Sequence, residues 1–267
     1  DRYNMYFVAK PNEEAKAFIQ AAGLIDETQC RAVGTLVFDL KNYNIWDKMK
    51  AIYPMVGQAD VSSSFQFNLK NPSLFKGTFS GSWVFSSTGA TPDGTSAYMD
   101  TGFVIGGNIS LPNIHLTYYS RTNNIIASPY PTEIGVGFGG GGLSYYELNV
   151  RRASQFSTIL NDGYTIGAAA TNTDSSGFYI ANRTSNINLN IWKNGTKLST
   201  ITTLSTFLNV PTNNILIAAS KDGSSAISNF SNRQCALATI GDSLTDTESA
   251  NFYTAVQRFQ TTLGRQV

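Results

Sequence analysis

Charge is scarce in this chain. Only 14% of the 267 residues are charged and the formal net charge is +1, so neither the basic field that nucleic acid requires nor an acidic one is present. Nucleic acid is therefore not an expected partner. Histidine is scarcer still: His115 is the single one, which leaves at most one imidazole for metal binding or general-base work. The two cysteines, Cys30 and Cys235, lie in different segments without metal-ligand spacing. One bridge between them is arithmetically open, and the reading adopted is two reduced thiols. No apolar run approaches the roughly 20 residues of a membrane helix and no signal-peptide pattern opens the chain, so no membrane insertion is expected. No fixed-period repeat points to a propeller or solenoid.

What the chain has instead is Ser, Thr, Asn and Gly between short apolar runs. The clearest stretch is Ile187-Asn-Leu-Asn-Ile191-Trp192-Lys193-Asn194-Gly195-Thr196-Lys197-Leu198. Ile187, Leu189 and Ile191 alternate with asparagines, the period of a strand with one buried face, and Asn194-Gly195 suits a type I′ hairpin turn. A two-residue loop pairs Lys193 with Thr196, Trp192 with Lys197 and Ile191 with Leu198. Ile191 and Leu198 then share the core face, and Asn188, Asn190, Trp192 and Lys197 share the other, with Ser199 beside them. An indole beside amides and an ammonium is the equipment of a sugar-binding surface, and equally of an interface. Those four residues are the candidate glycan or interface surface, to be covered by the N-terminal helices or a neighbouring subunit if it is an interface.

Taken in order, Met5–Val8 reads as a short strand or arm ended by Pro11. Asn12 caps a helix through Ala22, with Glu13 and Glu14 in its first turn and Gly23 past its end. Asp26-Glu-Thr-Gln29 has the form of a capping box, and Ala32, Val33, Leu36, Val37 and Leu40 recur at helical spacing. From Tyr53 onward strand-like runs take over, at 65–69, 81–85, 114–118, 146–150, 178–180, 215–217 and 235–240, punctuated by turn residues. Thr245-Asp-Thr-Glu248 is a second capping box, followed by Phe252, Val256, Phe259 and Leu263 on one face and Gly264 as the stop. The expected fold is mainly β: a sandwich or jelly roll over 51–267 with a C-terminal helix laid against it, preceded by an arm and helical pair over 1–50.

The run GLIDETQCRAVGTLVFDLKNYNIWDKMKAIYPMVG, the middle FQFNLKNP and YMDTGF, the hairpin WKNGTKL and the ending IGDSLTDTESANFYTAVQRFQTTLGRQV together resemble tailed-bacteriophage virion proteins. In that family a concanavalin A-like (laminin-G-like) jelly roll ends a fibre or appendage subunit. The resemblance runs from about Phe18 to the terminus and contains no catalytic signature. It implies a concanavalin A-like antiparallel β-sandwich, a place on the virion, other virion proteins as partners, homo-oligomer formation, and a host-surface glycan as candidate ligand. The chain shows no collagen-like or coiled-coil stalk of its own.

Two strings suggest chemistry and yield to plainer readings. Gly241-Asp242-Ser243-Leu244 spells the nucleophile block of GDSL esterases, which needs a histidine base. His115 lies far upstream in a strand-like run and no Asp-x-x-His block exists, so the string reads as a strand-to-helix corner. Gly135-Val-Gly-Phe-Gly-Gly140 contains G-x-G-x-x-G, but a strand-like run rather than a helix follows it, which removes the dinucleotide site. No Glu-x-Asp-x-x-Glu strand motif of a β-sandwich glycosidase is present, although carboxylates from separate strands can still converge. Asp93, Asp100, Asp174 and Asp222 sit where loop carboxylates sometimes meet calcium, yet Asp-Gly is first of all turn chemistry. The sequence therefore predicts no catalytic residue, cofactor or metal. It points to a non-enzymatic virion appendage or attachment module; the alternatives are a passive decoration protein and a polysaccharide-degrading enzyme.

Overall fold

The computed structural model describes residues 12–126, 130–137, 145–160, 167–202, 210–221 and 226–267; the arm expected at Met5–Val8 and the loop position Asp222 lie outside them. Both predicted helices of the N-terminal pair form. In α1 (Glu13–Ala22), Asn12 accepts a hydrogen bond from the Ala15 amide and Gly23 closes the helix at φ 64°, a left-handed cap that glycine adopts without strain. Asp26 caps α2 (Glu27–Asn42) through the Gln29 amide. The expected box is only half made, because the Gln29 side chain donates instead to the Gly57 carbonyl. After a single helical turn, α3 (Ser62–Phe65), the chain ends in α4 (Asp246–Thr262), whose Thr245–Glu248 box is complete.

Among the described residues the strands form two large antiparallel sheets. The first runs in the order β13 (Thr196–Ile201), β12 (Asn188–Lys193), β11 (Gly177–Ser185), β6 (Ile114–Ser120), β17 (Cys235–Gly241), β4 (Gly89–Pro92) and β3 (Trp83–Ser86), with β1 (Met49–Tyr53) also paired to β17. The second runs β10 (Ala168–Thr171), β9 (Gln155–Leu160), β8 (Tyr145–Arg152), β7 (Ile134–Gly137), β14 (Leu216–Ile217), β5 (Tyr98–Asp100) and β2 (Thr78–Ser80), and a short pair, β15 (Ser220–Lys221) with β16 (Ile227–Ser228), stands apart from both. The expected strand at 65–69 does not form. Asn68 is fully buried there, and its side-chain oxygen takes the amides of Ile52 and Lys70, so this segment serves as a loop stapled to β1.

Two cores result, one on each face of the first sheet. Leu116, Tyr118, Tyr179, Ala181, Leu189, Ile191, Ala238 and Ile240 point between the sheets, toward Leu148, Phe156 and Ile217. Their neighbours Tyr119, Phe178, Ile180, Trp192, Ala236 and Leu237 point outward and meet Phe18, Leu36, Val37, Leu40, Phe252 and Val256 of the helices. Every residue of β6 and β17 is buried as a consequence. The two cysteines fall in different cores, Cys30 outside and Cys235 inside, and both are free thiols. Burial pushes their thiols up to about 11 and about 12, away from the reactive thiolate.

The hairpin that dominates the sequence folds with its predicted turn: Asn194 and Gly195 take φ 49° and 76°. Its register departs from expectation after two pairs. Lys193 faces Thr196 and Trp192 faces Lys197, but Ile191 faces Ser199, with a bulge between. The extra residue is Leu198, which is 37% exposed instead of core-facing, while Ser199 and Ile201 take the inner positions. Ile187 also leaves the core, at 63% exposed, because it belongs to the turn before β12. Trp192, by contrast, is only 6% exposed.

Trp192→Ala therefore removes a ring from the helix-facing core. It is expected to cost about 3–5 kcal/mol, whereas Leu198→Ala at the bulge costs less than about 1 kcal/mol. Urea unfolding of the two variants beside the wild type checks both values, and equal losses would contradict the bulged register.

Candidate functional site

The four residues singled out by sequence do come together: Asn190 and Trp192 are buried, Asn188 is half-buried and Lys197 stays exposed. Trp192 donates its indole N–H to Asn190 at 2.9 Å, and Asn190 donates to Asn188 at 3.1 Å. Asn182 donates to the same Asn190 oxygen at 3.2 Å and to the Leu244 carbonyl at 2.7 Å, and it accepts from the Leu244 amide at 2.8 Å. This amide chain clamps the corner that leads into α4. Lys197 pairs with Asp246 in the first turn of α4 and lies 5.4 Å over the Trp192 ring. Tyr253 of α4 comes so close to Gly195 that a Cβ there would lie 2.7 Å from its ring. As a sugar-stacking plate, Trp192 is corrected: the helix layer takes its face, and the residues act as an interface within the chain.

An open cleft lies instead at one pole of the sandwich, where β17 ends, β6 begins and β1 starts. Its volume is about 640 Å³, and Lys48, Lys50, Asn108, Asn113, Asp242 and Ser243 line it. A smaller groove continues from Lys50 and Asn108 past Lys70, Asn71 and Phe75. The walls follow from the sheet. The Asp242 amide donates to the Lys48 carbonyl at 2.8 Å, carrying the β1–β17 pairing one step past the strand. Gly241 permits this approach, since a Cβ there would sit 2.4 Å from the Lys48 oxygen and 2.5 Å from the His115 ring. The lining mixes polar side chains with the apolar surface of Ile109, and its charged groups are paired. Lys50 meets Asp242 at 2.9 Å, Lys48 is held by Glu248, and the Ser243 hydroxyl donates to Asn113 at 3.3 Å. Against the upward push of burial, the Lys48 bond and the Thr245 amide hold the Glu248 carboxyl below the usual range.

His115 lies fully buried behind this wall. Its Nδ1 lies 2.6 Å from the Asp242 carbonyl oxygen, an acceptor only, so Nδ1 carries the proton and donates. Nε2 is left as acceptor for the Thr239 hydroxyl at 3.1 Å. Both ring nitrogens are thus spent on partners other than Ser243. Burial pushes the imidazole down to about 4, against the opposing pull of the Asp242 carbonyl.

The remaining candidates stay structural. Asp93 accepts from the amides of Thr95, Ser96 and Ala97, Asp100 from Gly102 and Asn214, and Asp174 from Ser176. Among the described residues, no three His, Cys, Asp or Glu side chains converge as a metal site. Gly135 and Gly137 lie in β7, and the rest of the glycine string lies outside the described residues. Glu147 is buried on β8 beneath the Ser220 hydroxyl, and burial raises its carboxyl. Glu133 is fully buried against Arg233 at 2.7 Å. Sequence reading reached Asp242 and Ser243 as a corner, but missed Lys48, Lys50, Asn108 and Asn113 as cleft residues. No motif marks them, because they come from separate connections.

No family model matches the chain, and no curated protein matches it. Solved structures do. Domain 4 of AbnA, a GH43 extracellular arabinanase from Geobacillus stearothermophilus, determined in complex with arabinotriose, superposes with a TM-score of 0.52 at 10% identity, covering 77% of this chain and 98% of that one. Trypanosoma rangeli sialidase in complex with sialic acid gives 0.56 at 11% identity, over 86% of this chain and 39% of the sialidase. At such identities the likeness shows the fold alone: the chain is a mainly β, antiparallel sandwich of the jelly-roll type.

The buried imidazole sets a pH dependence with a definite sign. His115 is neutral when folded and takes up a proton more readily when unfolded, so its contribution is complete above the ordinary value of 6.5 and is lost as pH falls toward about 4. Between pH 6.5 and 4.5 the wild type should lose about 2–3 kcal/mol more than His115→Gln. Urea midpoints at a series of pH values measure the difference, and parallel curves would refute it.

Proposed function

We propose that the chain is a non-enzymatic attachment module of a tailed-bacteriophage virion, carried on a fibre or other appendage, and that the polar cleft at Lys50–Asp242 is where it engages a host-surface glycan. The observation that carries the reading is the cleft itself: an open trough with ammonium, carboxylate, carboxamide and hydroxyl groups around the ends of β1, β6 and β17. Hydroxyl-rich ligands are recognised by such alternating donors and acceptors. The sequence resemblance to virion appendage proteins supports the location, and the fold is one on which Domain 4 of AbnA holds arabinotriose. The non-enzymatic part of the reading rests on His115 being turned away from Ser243 and on the cleft having one lining carboxylate, Asp242, already paired with Lys50.

A passive decoration role is the second reading, favoured by the apolar side chains that stand free on the helical layer and the loop before it, Phe38 and Ile25. Ser110 separates the two, since it is exposed on the cleft rim and its carbonyl, not its side chain, holds the local turn. Ser110→Trp should fill the cleft, weaken binding to a glycan panel or host cells by about tenfold or more, and leave the melting temperature within a few degrees. Unchanged binding by this variant would move the activity away from the cleft. Proteomics of purified particles tests the virion assignment, which falls if the chain is absent from them.

A further inference from the structure

We propose that the Lys50–Asp242 pair reads a vicinal diol on a neutral, hydroxyl-rich glycan, an inference that rests on the cleft being the glycan site. Lys50 Nζ and Asp242 Oδ2 are 2.9 Å apart, and each side chain is 32% exposed toward the cleft. An ammonium offers donors only and a carboxylate acceptors only. Two neighbouring hydroxyls on a sugar ring stand at a comparable separation, and each is both donor and acceptor. One accepts from Lys50 while the other donates to Asp242, so the diol bridges the pair without breaking it. Both hydrogen bonds involve a charged partner, which makes them the stronger kind.

The pair is also pre-positioned. Lys50 lies within β1, and the Asp242 backbone is fixed on both sides, by its amide to the Lys48 carbonyl at 2.8 Å and by its carbonyl to His115 at 2.6 Å. Neutrality of the ligand follows from the charges around it. Of the two lysines lining the cleft, Lys48 is already committed to Glu248 and Lys50 to Asp242. A carboxylate or sulfate on the ligand would have to displace one of these acids and would then lie beside it, with like-charge repulsion as the cost. A hydroxyl meets no such barrier. Asn113, Ser110 and Ser243 around the pair supply further uncharged partners for the rest of the sugar.

The test uses the whole chain and a panel of soluble polysaccharides: neutral arabinan, xylan, dextran and laminarin, acidic polygalacturonate and alginate, and sialylated oligosaccharides. The expected result is binding to a neutral member that falls about tenfold or more in Lys50→Met and in Asp242→Asn. Periodate cleavage of that polysaccharide's vicinal diols should abolish the binding, and a rise from about 50 to about 500 mM NaCl should change it less than about twofold. Thermal melts of both variants confirm folding. Preference for acidic glycans with steep salt dependence, or full binding by Asp242→Asn, overturns the diol inference. If Ser110→Trp still abolishes binding in that event, the cleft remains the glycan site. Full binding by Ser110→Trp, or no binding to any member of the panel, overturns the cleft reading together with the inference built on it.

Discussion

An antiparallel sheet with two apolar faces must be covered twice, and that constraint shapes most of this molecule. β6 and β17 are buried on every residue, so their inner side chains need the second sheet and their outer ones need the helices. The N-terminal helical pair and α4 answer the second demand. They belong to the same apolar cluster as Trp192, Phe178 and Leu237, and Phe178 packs edge-on against Phe252 at 5.1 Å. Without that layer a band of aromatic surface on the sheet would face water.

Polar groups fix how the layer sits. Asn182 holds both backbone groups of Leu244 just before α4, and Arg265 just after it donates to the carbonyls of Pro54, Met55 and Ala236 and to Gln260. Arg265 is fully buried and, among the described residues, pairs with no carboxylate, and burial pushes its guanidinium down to about 9. Carbonyl dipoles are its compensation, at some cost in desolvation. Directional bonds at both ends of α4 choose one seating for a helix that apolar contact alone would leave free to slide.

The cleft is a by-product of the same seating. α4 starts shortly after β17 stops, so the strand-to-helix corner is left at the edge of the covered face, next to the start of β1. There Asp242 and Ser243 cannot be buried, and the loop at Gly107–Asn113 closes the far side. His115 ties the corner to the interior through one hydrogen bond, while its burial, against the pull of that bond, sets the acid sensitivity of the fold.

Local periodicity and capping carried the sequence reading a long way. Asn12, Asp26 and Thr245 fix the helix starts, Gly23 and Gly264 the stops, and Asn194-Gly195 the turn, because each acts through bonds within a few residues. The bulge at Leu198 was not legible, since a strand's register past its turn is chosen by what its neighbours bury; Ser199 and Ile201 win the inner positions only once β11, β12 and the second sheet are in place. Nor was the fate of Trp192. Alternation showed that it leaves the inner core and shares a face with Lys197, but only the docking of the helices decided that its face joins the cluster of Phe252 instead of a ligand. The cleft lies furthest from the sequence: Lys50 and Asp242 are 192 positions apart, and no local pattern encodes a meeting that depends on β1 joining β17. The sequence by itself determined the elements and their punctuation; tertiary packing decided which polar residues would be enclosed and which would face the solvent, because burial is a property of the assembled layers and not of any one strand.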